Sequence, residues 1–426
     1  MRELDKVIGY ENIKTELYRI IDIIQNPSKY KALGVKIPQG VLFHGVPGIG
    51  KTLMAQSFIK ECGRKSFVIR KDRPDGEFVD YIRETFKQAA EAEPSILLLD
   101  DIDKFANEDH MHRDAEEYVT VQACIDSYKD KDVFIVATCN DYRAMPPSLV
   151  RRGRFDKTFG MSFPKAEDAK KIIAFYLKDK TVAVDLDIDE IVRFCDRRSC
   201  ADLETVINEA GVLAGYENKD LISQDDLRRA CLSTFWSIKK RPEDEQCPFE
   251  SIRRRAVHEA GHATLIEYFT PGDVSFVTIE RPRDAMVLRK HDDHRFEDFK
   301  NHEIEIMISL AGKAATEVVL GEIDMGTESD LREAYDATSA LLDDVASYDF
   351  QSWCHGDETS QRVFDHLDDV KGAEMARYYF NTKQILMQNR AFLDALIEQI
   401  IEKKTLTYKD IAPIREKHLN AQTKAA

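Results

Sequence analysis

Paired cysteines are missing from this chain. Its eight cysteines, Cys62, Cys124, Cys139, Cys195, Cys200, Cys231, Cys247 and Cys354, are scattered, and no two form a C-x-x-C pair. That excludes a disulfide framework and a cysteine zinc site, and fits reduced thiols in a cytosol. Long apolar runs are missing too. None approaches the roughly 18 residues that cross a bilayer, and the opening MRELDKVIGYENIKTEL lacks the pattern of a signal peptide. The expectation is a soluble, cytoplasmic chain, membrane-anchored only if an N-terminal segment has been removed. An excess of basic residues is also absent. The formal charge of −16 argues against nucleic acid, whose phosphates reward lysine and arginine. No internal repeat is visible, and low complexity is confined to the tail NAQTKAA.

With 426 residues the chain is too long for one core and implies two or three domains. Four short apolar runs, GVLFHG, SFVIR, SILLLDD and DVFIVATCN, alternate with helical patterns over residues 1–160. Buried parallel strands read this way, which predicts an α/β sheet with helices on both faces. After FPKAED the strand patterns stop, and residues 165–235 carry helical periods such as DLETVINEAGVLAGY, consistent with a small helical lid. The polar stretch IKKRPEDEQCPFE reads as a linker. From about Ser251 onward the chain is mainly helical, with one strand-like segment, VSFVTIERP. The expected boundaries are 1–163 for the nucleotide-binding α/β part, 164–236 for the lid, 237–250 for the linker and 251–420 for the last domain.

The first chemical motif follows the first of these strands. In GVLFHGVPGIGKTLMAQSF the residues Gly45, Val46, Pro47, Gly48, Ile49, Gly50, Lys51 and Thr52 spell G-x-x-x-x-G-K-T between a strand and a helix. Glycines without side-chain bulk let backbone N–H groups close around phosphate oxygens at a helix N-terminus. Lys51 is then expected to meet the β- and γ-phosphates of ATP, and Thr52 to ligate Mg²⁺. The strand SILLLDD ends in Asp100, placed to hold the magnesium shell, and Asp101, placed to orient the attacking water. DVFIVATCN ends at Asn140, a neutral group suited to the γ-phosphate or to that water. Arg151 and Arg154 in PPSLVRRGRFDKTF are candidates to reach a neighbouring subunit's nucleotide and stabilise the transferring phosphoryl group.

The second motif is AVHEAGHATLIEY, residues 256–268. Positions i and i+4 share a helix face, so His258 and His262 can aim both imidazoles at one Zn²⁺. Glu259 then sits beside the metal and can accept a proton from its bound water. Gly261 inside this helix costs about 1 kcal/mol relative to alanine, which points to close packing or a functional need. A catalytic zinc needs a third protein ligand. Asp330, Glu317 and the histidines of KHDDHRFEDFKNHE are the candidates, and spacing does not choose among them.

Taken together, these residues resemble the AAA+ and peptidase portion of the FtsH-type ATP-dependent zinc metalloproteases, over a span from about Leu4 to Lys417. VIGYENIKTELYRIIDIIQNPSKYKALGVKIPQGVLFHGVPGIGKT resembles that family's entry into its ATPase domain. SLVRRGRFDKTF resembles its arginine-finger segment, CADLETVINEAGVLA its lid helix, and AVHEAGHA its zinc helix. AGKAATEVVLGEIDMGTESDLREAYDATSALL resembles the segment carrying the third zinc ligand, an aspartate, which the resemblance places at Asp330. It further implies a homo-oligomeric, hexameric ring that pulls unfolded or tagged proteins into an enclosed peptidase chamber. VSFVTIERP resembles the family's strand beside the zinc, where an exposed edge could bind an extended peptide.

Four departures from the family pattern stand out. Asp101 replaces a glutamate, and a carboxylate withdrawn by one C–C bond can slow hydrolysis on the order of 10²-fold. The aromatic pore loop has no clean match in KDRPDGEFVDYIRETF, leaving Phe78 as its candidate. Cys200 stands where the family has a lid glycine, and the membrane segments are missing. The resulting expectation is an ATP-dependent zinc endopeptidase using Zn²⁺, ATP and Mg²⁺. The rivals are a zinc peptidase on a slowly hydrolysing, nucleotide-gated scaffold, and a chaperone or adaptor ring with a structural zinc.

Overall fold

The computed structural model describes residues 2–105, 115–150, 153–238, 247–280, 285–290, 298–322, 328–344 and 361–419. Arg151, Cys354 and the histidines at 291 and 294 lie outside the described residues. Two compact units are present, one built from residues 1–180 and 197–208, the other from 181–196 and 209–426. The helix Cys200–Tyr216, within the expected lid, passes from one unit into the other.

The first unit is organised by a five-stranded parallel sheet. Its strands are β1 (Gly40–His44), β2 (Lys65–Ile69), β3 (Ser95–Leu99), β4 (Val133–Cys139) and β5 (Lys157–Gly160), in the order β2-β3-β4-β1-β5. Alternate strand residues point to opposite faces, and both faces are covered. Val41, Phe43, Ile96, Leu98, Phe134 and Val136 join one core with the helices Glu11–Gln25 and Lys51–Cys62. Leu42, Leu97, Leu99, Ile135 and Ala137 join another with the helices Asp75–Glu91 and Ala115–Ser127. This double burial is why the strands read as continuous apolar runs. Because all five strands run parallel, the C-terminal ends of β1, β3 and β4 open on the same edge, where ligands of such sheets bind.

Phe78 belongs to the second of these cores. It is fully buried, with its ring 5.2 Å from that of Phe105 in an edge-on contact. An aromatic in that position stabilises the sheet and presents no ring to a substrate, which corrects the pore-loop expectation.

The second unit is mostly helical around a three-stranded antiparallel sheet of β6 (Val274–Thr278), β7 (Met286–Arg289) and β8 (Thr405–Thr407), in the order β7-β6-β8. The segment read as an exposed edge is therefore the middle strand. Val274, Phe276 and Val277 are wholly buried there, and among the described residues the outer edges belong to β7 and β8. Glu267, also buried, accepts from Gly272 N at 2.9 Å, Val274 N at 3.2 Å and Arg415 Nη1 at 2.6 Å. Such a carboxylate is tolerable inside because every neighbour donates to it. It ties the Phe249–Phe269 helix to the start of β6 and to the Tyr408–His418 helix.

The Phe249–Phe269 helix packs on the Ala311–Leu320 helix through small residues, Ala256, Ala260 and Ala263 against Ala311, Ala314 and Ala315. Gly261 sits at the crossing. A Cβ there would lie 2.5 Å from the Ala311 carbonyl oxygen and 2.6 Å from Ala315 Cβ. The backbone cannot give way as a flexible side chain would, so the missing methyl outweighs the helix-propensity cost. Among the described residues no helix is long and apolar enough to cross a membrane. Gly261→Ala, which gains helix propensity, is expected to lower the unfolding midpoint in urea, and Gly261→Val to cost at least about 1–3 kcal/mol. A Gly261→Ala chain as stable as wild type would contradict so close a crossing.

Candidate nucleotide and metal sites

The nucleotide-binding residues gather where the sheet topology sends them. Gly45, Gly48 and Gly50 have φ of 145°, 79° and 95°, a region that a Cβ disfavours. A Cβ on Gly45 would also meet the Met161 carbonyl oxygen at 2.2 Å. Val46 and Pro47 are exposed on the turn, while Ile49 is buried in the core beneath it. The Lys51–Cys62 helix starts directly after Gly50, directing its N-terminal N–H groups into the turn.

Lys51 Nζ donates to Gly45 O at 2.8 Å, Val46 O at 2.9 Å and Asn140 Oδ1 at 2.7 Å. Burial lowers its pKa, against the charges of Asp101 and Asp103. Asp100 Oδ1 accepts from Thr52 Oγ1 at 3.2 Å and Thr138 Oγ1 at 2.7 Å. Its other oxygen is held by Arg70, through Nε at 3.0 Å and through Nη2. Burial works against ionisation of Asp100, but the Arg70, Thr138 and Thr52 hydrogen bonds hold its pKa below the ordinary carboxylate value. Arg70, at the end of β2, went unnoticed in the sequence because strand pairing alone brings it to β3.

Asp101 adopts the left-handed conformation, φ 54° and ψ 52°. Its carboxylate accepts from Lys104 Nζ at 2.6 Å and Asn140 Nδ2 at 3.2 Å. The structure thus brings Lys51, Thr52, Asp100, Asp101 and Asn140 into one hydrogen-bonded group. Cys200 lies at its margin, with Sγ 3.8 Å from Ile49 O.

Arg154 is placed differently from its expected outward role. It is 2 % exposed and forks onto Asp126, Nε to Oδ1 at 3.1 Å and Nη2 to Oδ2 at 2.6 Å, while Nη1 donates to Ser148 O. A guanidinium this deeply buried needs a counter-ion, and Asp126 supplies it within the same chain.

The metal-site candidates also converge. One helix turn separates His258 from His262, and their Nε2 atoms lie 3.1 Å apart. Asp330, from the Glu328–Ser339 helix, brings Oδ2 to 3.1 Å from His258 Nε2 and 3.4 Å from His262 Nε2. A tetrahedral zinc with bonds of about 2.0–2.1 Å holds its donors about 3.3 Å apart. The three measured separations fit that triangle, and these residues form the cluster of potential metal ligands among the described residues.

Surrounding groups orient the set. His262 Nδ1 lies 2.8 Å from Ile308 O. A carbonyl only accepts, so Nδ1 carries the proton and the Nε2 lone pair faces the cluster. Burial opposes charge on both His262 and Asp330, yet their mutual contact raises the pKa of His262 and lowers that of Asp330. Burial raises the pKa of Glu259, partly offset by the two histidines. Gly312 was not anticipated. A Cβ on it would lie 2.4 Å from His258 Nε2 and 2.6 Å from His262 Nε2, so a side chain there would fill the place where the rings meet.

Of the other ligand candidates that are described, Glu317 and His302 lie outside this cluster. Glu317 accepts from Tyr379 OH at 2.6 Å and Lys383 Nζ at 3.0 Å. Glu259, the two histidines and Asp330 share a cleft of about 800 Å³, bordered by Met286 and Val287 of β7. This arrangement can hold a divalent ion beside a carboxylate and near a strand whose outer edge is unpaired among the described residues.

Residues 41–163 match the family described as ATPase family associated with various cellular activities (AAA), and residues 249–414 match Peptidase family M41. The chain is similar to an ATP-dependent zinc metalloprotease FtsH of Leptotrichia buccalis, 28% identical over 97% of this chain and 57% of the relative. It is similar to FtsH 2 of Thermoanaerobacter sp. (strain X514), 27% identical over 96% of this chain and 82% of the relative. A third relative, FtsH of Aster yellows witches'-broom phytoplasma, is 28% identical over 96% of this chain and 63% of its own length. An AAA domain with a parallel sheet is followed here by a helical M41 peptidase domain, and over nearly its whole length the chain is similar to FtsH-type ATP-dependent zinc metalloproteases, of which it spans 57% to 82% of the length.

Proposed function

We propose that this chain is an ATP-dependent zinc endopeptidase acting on unfolded or tagged proteins. One observation carries the reading: the His258, His262 and Asp330 donors meet at zinc spacing, in a cleft shared with Glu259. His258, His262 and Asp330 would hold the ion. When bound, zinc supplies Lewis acidity, polarising the scissile carbonyl and acidifying water. Glu259 takes the proton from the attacking water and passes it to the departing amine nitrogen. Its burial favours this, since a raised pKa lets the carboxyl hold that proton until the nitrogen takes it. The outer edge of β7 pairs an extended substrate backbone alongside these groups.

In the ATPase part, the turn from Gly45 to Gly50 surrounds the phosphates, and Lys51 exchanges its carbonyl contacts for phosphate oxygens. Thr52 and Asp100 hold Mg²⁺, whose charge neutralises the phosphates. Asn140 and Asp101 orient the water that attacks the γ-phosphate. Action on a neighbour's nucleotide requires a head-to-tail interface that closes, which supports a hexameric ring. With Arg154 engaged by Asp126, the reaching role falls to Arg151. The seven cysteines among the described residues are all free thiols, in keeping with a cytoplasmic setting.

A second reading is favoured by Asp101. With its carboxylate shared between Lys104 and Asn140, the ATPase turns over slowly and acts as a nucleotide-gated scaffold.

Casein cleavage is expected to stop with a chelator, return with zinc and accelerate with ATP. Glu259→Gln should keep its zinc and lose about 10²–10⁴-fold in rate. Normal cleavage by that variant would sink the assignment. Measured by metal analysis and chelator competition, zinc affinity should fall at least about tenfold in Asp330→Asn and Gly312→Ala. Lys51→Ala should abolish the ATP acceleration. Phosphate release should rise in Asp101→Glu if the shorter carboxylate limits turnover, and an unchanged rate would remove the second reading.

A further inference from the structure

The peptidase cleft is lined by two arginines, and they are satisfied differently. Arg254 pairs through Nη2 with Glu322. Arg255 donates from Nε to Ser251 O at 3.1 Å and from Nη2 to Cys247 Sγ at 3.2 Å. Its Nη1 is shielded from solvent and has no hydrogen-bond partner among the described residues. Neither acceptor is a carboxylate, so no described carboxylate pairs with this guanidinium. Such a group is destabilising until an acceptor arrives, and a carboxylate satisfies it best because it supplies two oxygens and the missing charge.

The position matters as much as the charge. Arg255 precedes His258 by three residues and Glu259 by four on the Phe249–Phe269 helix, so it lies one turn along the same cleft-lining face. Besides the two arginines and Cys247, the ionisable groups lining the cleft are Glu259, Asp330, Glu333 and the two histidines. Arg255 therefore places a cationic donor with an unused N–H one turn from the cluster, where it can attract a substrate carboxylate. A backbone carbonyl could also reach Nη1, but would leave the charge unbalanced.

We propose that Arg255 is a specificity-determining residue that reads a substrate carboxylate within a few residues of the bond being cut. The carboxylate is either an aspartate or glutamate side chain or the free C-terminus of a peptide. The proposal rests on the peptidase reading above, and binding is measured apart from cleavage so that the two can fail separately.

The test uses the zinc-loaded full chain. Cut sites in casein are mapped by mass spectrometry for wild type, Arg255→Gln and Arg255→Lys, with fold checked by circular dichroism and zinc content by metal analysis. Labelled peptides differing only by Glu or Gln, each with a free or an amidated C-terminus, are titrated into Glu259→Gln with and without Arg255→Gln. The expected result is enrichment of acidic residues near the cuts, lost in Arg255→Gln and partly kept in Arg255→Lys. About tenfold or tighter binding of the carboxylate-bearing peptide should accompany it, with the preference abolished by Arg255→Gln. Dependence on the Glu/Gln pair identifies a side-chain carboxylate, and dependence on amidation identifies the terminus. Indifference to both overturns the assignment even if casein is cut normally. A chain that cuts nothing, yet binds the acidic peptide through Arg255, keeps the subsite and removes the peptidase reading.

Discussion

Two helices approach so closely in the second unit that no side chain fits between them at two points. At Gly261 the Phe249–Phe269 helix meets the Ala311 carbonyl, and at Gly312 the Ala311–Leu320 helix meets both histidine rings. The rest of the metal site depends on this approach. It holds the two imidazole Nε2 atoms 3.1 Å apart, and it leaves the third position to Asp330. Close packing of small residues fixes these helices more tightly than longer side chains could, because alanine and glycine have no rotamers to rearrange. Ion-ligand spacing is thus set by backbone contact.

The ATPase unit reaches comparable precision by another route. Its central strands β1, β3 and β4 are buried on both faces, so each is locked by residues of both parities. The parallel register carries the ends of β1, β3 and β4 to one edge, and residues far apart in sequence meet there. Lys51 reaches Asn140 across 89 positions, and Thr52 reaches Asp100 across 48. Arg70 arrives at the same place by pairing of β2 with β3. Its grip on Asp100 is an existing charge pair that magnesium, in the role proposed for Asp100, would have to redistribute.

What the sequence reveals follows from the distance over which each feature is encoded. The phosphate-binding turn and the two histidines are local patterns whose spacing translates directly into geometry. All four strands read as apolar runs are present; for β1, β3 and β4 the run is the signature of double burial, whereas β2 is largely exposed. The fifth, Lys157–Gly160, is short and mostly exposed, so composition did not mark it. The middle position of β6 depends on β8, more than a hundred residues later. Gly312, the Asp126 partner of Arg154 and the buried position of Phe78 are likewise products of tertiary contact. Spacing leaves Asp330 one of several third-ligand candidates, resemblance singles it out, and the folded chain shows its carboxylate beside the rings.

The bond from His262 Nδ1 to the Ile308 carbonyl has an evolutionary corollary. Its acceptor is main chain, near the end of the Phe299–Ser309 helix, so no exchange of the residue at 308 can remove it. Exchanging that buried side chain changes core packing but leaves the carbonyl that sets the imidazole tautomer, whereas an insertion or deletion that shifts the helix terminus by one residue would move it. Tolerance to substitution paired with intolerance to changes in length is the mark such a contact leaves on a gene.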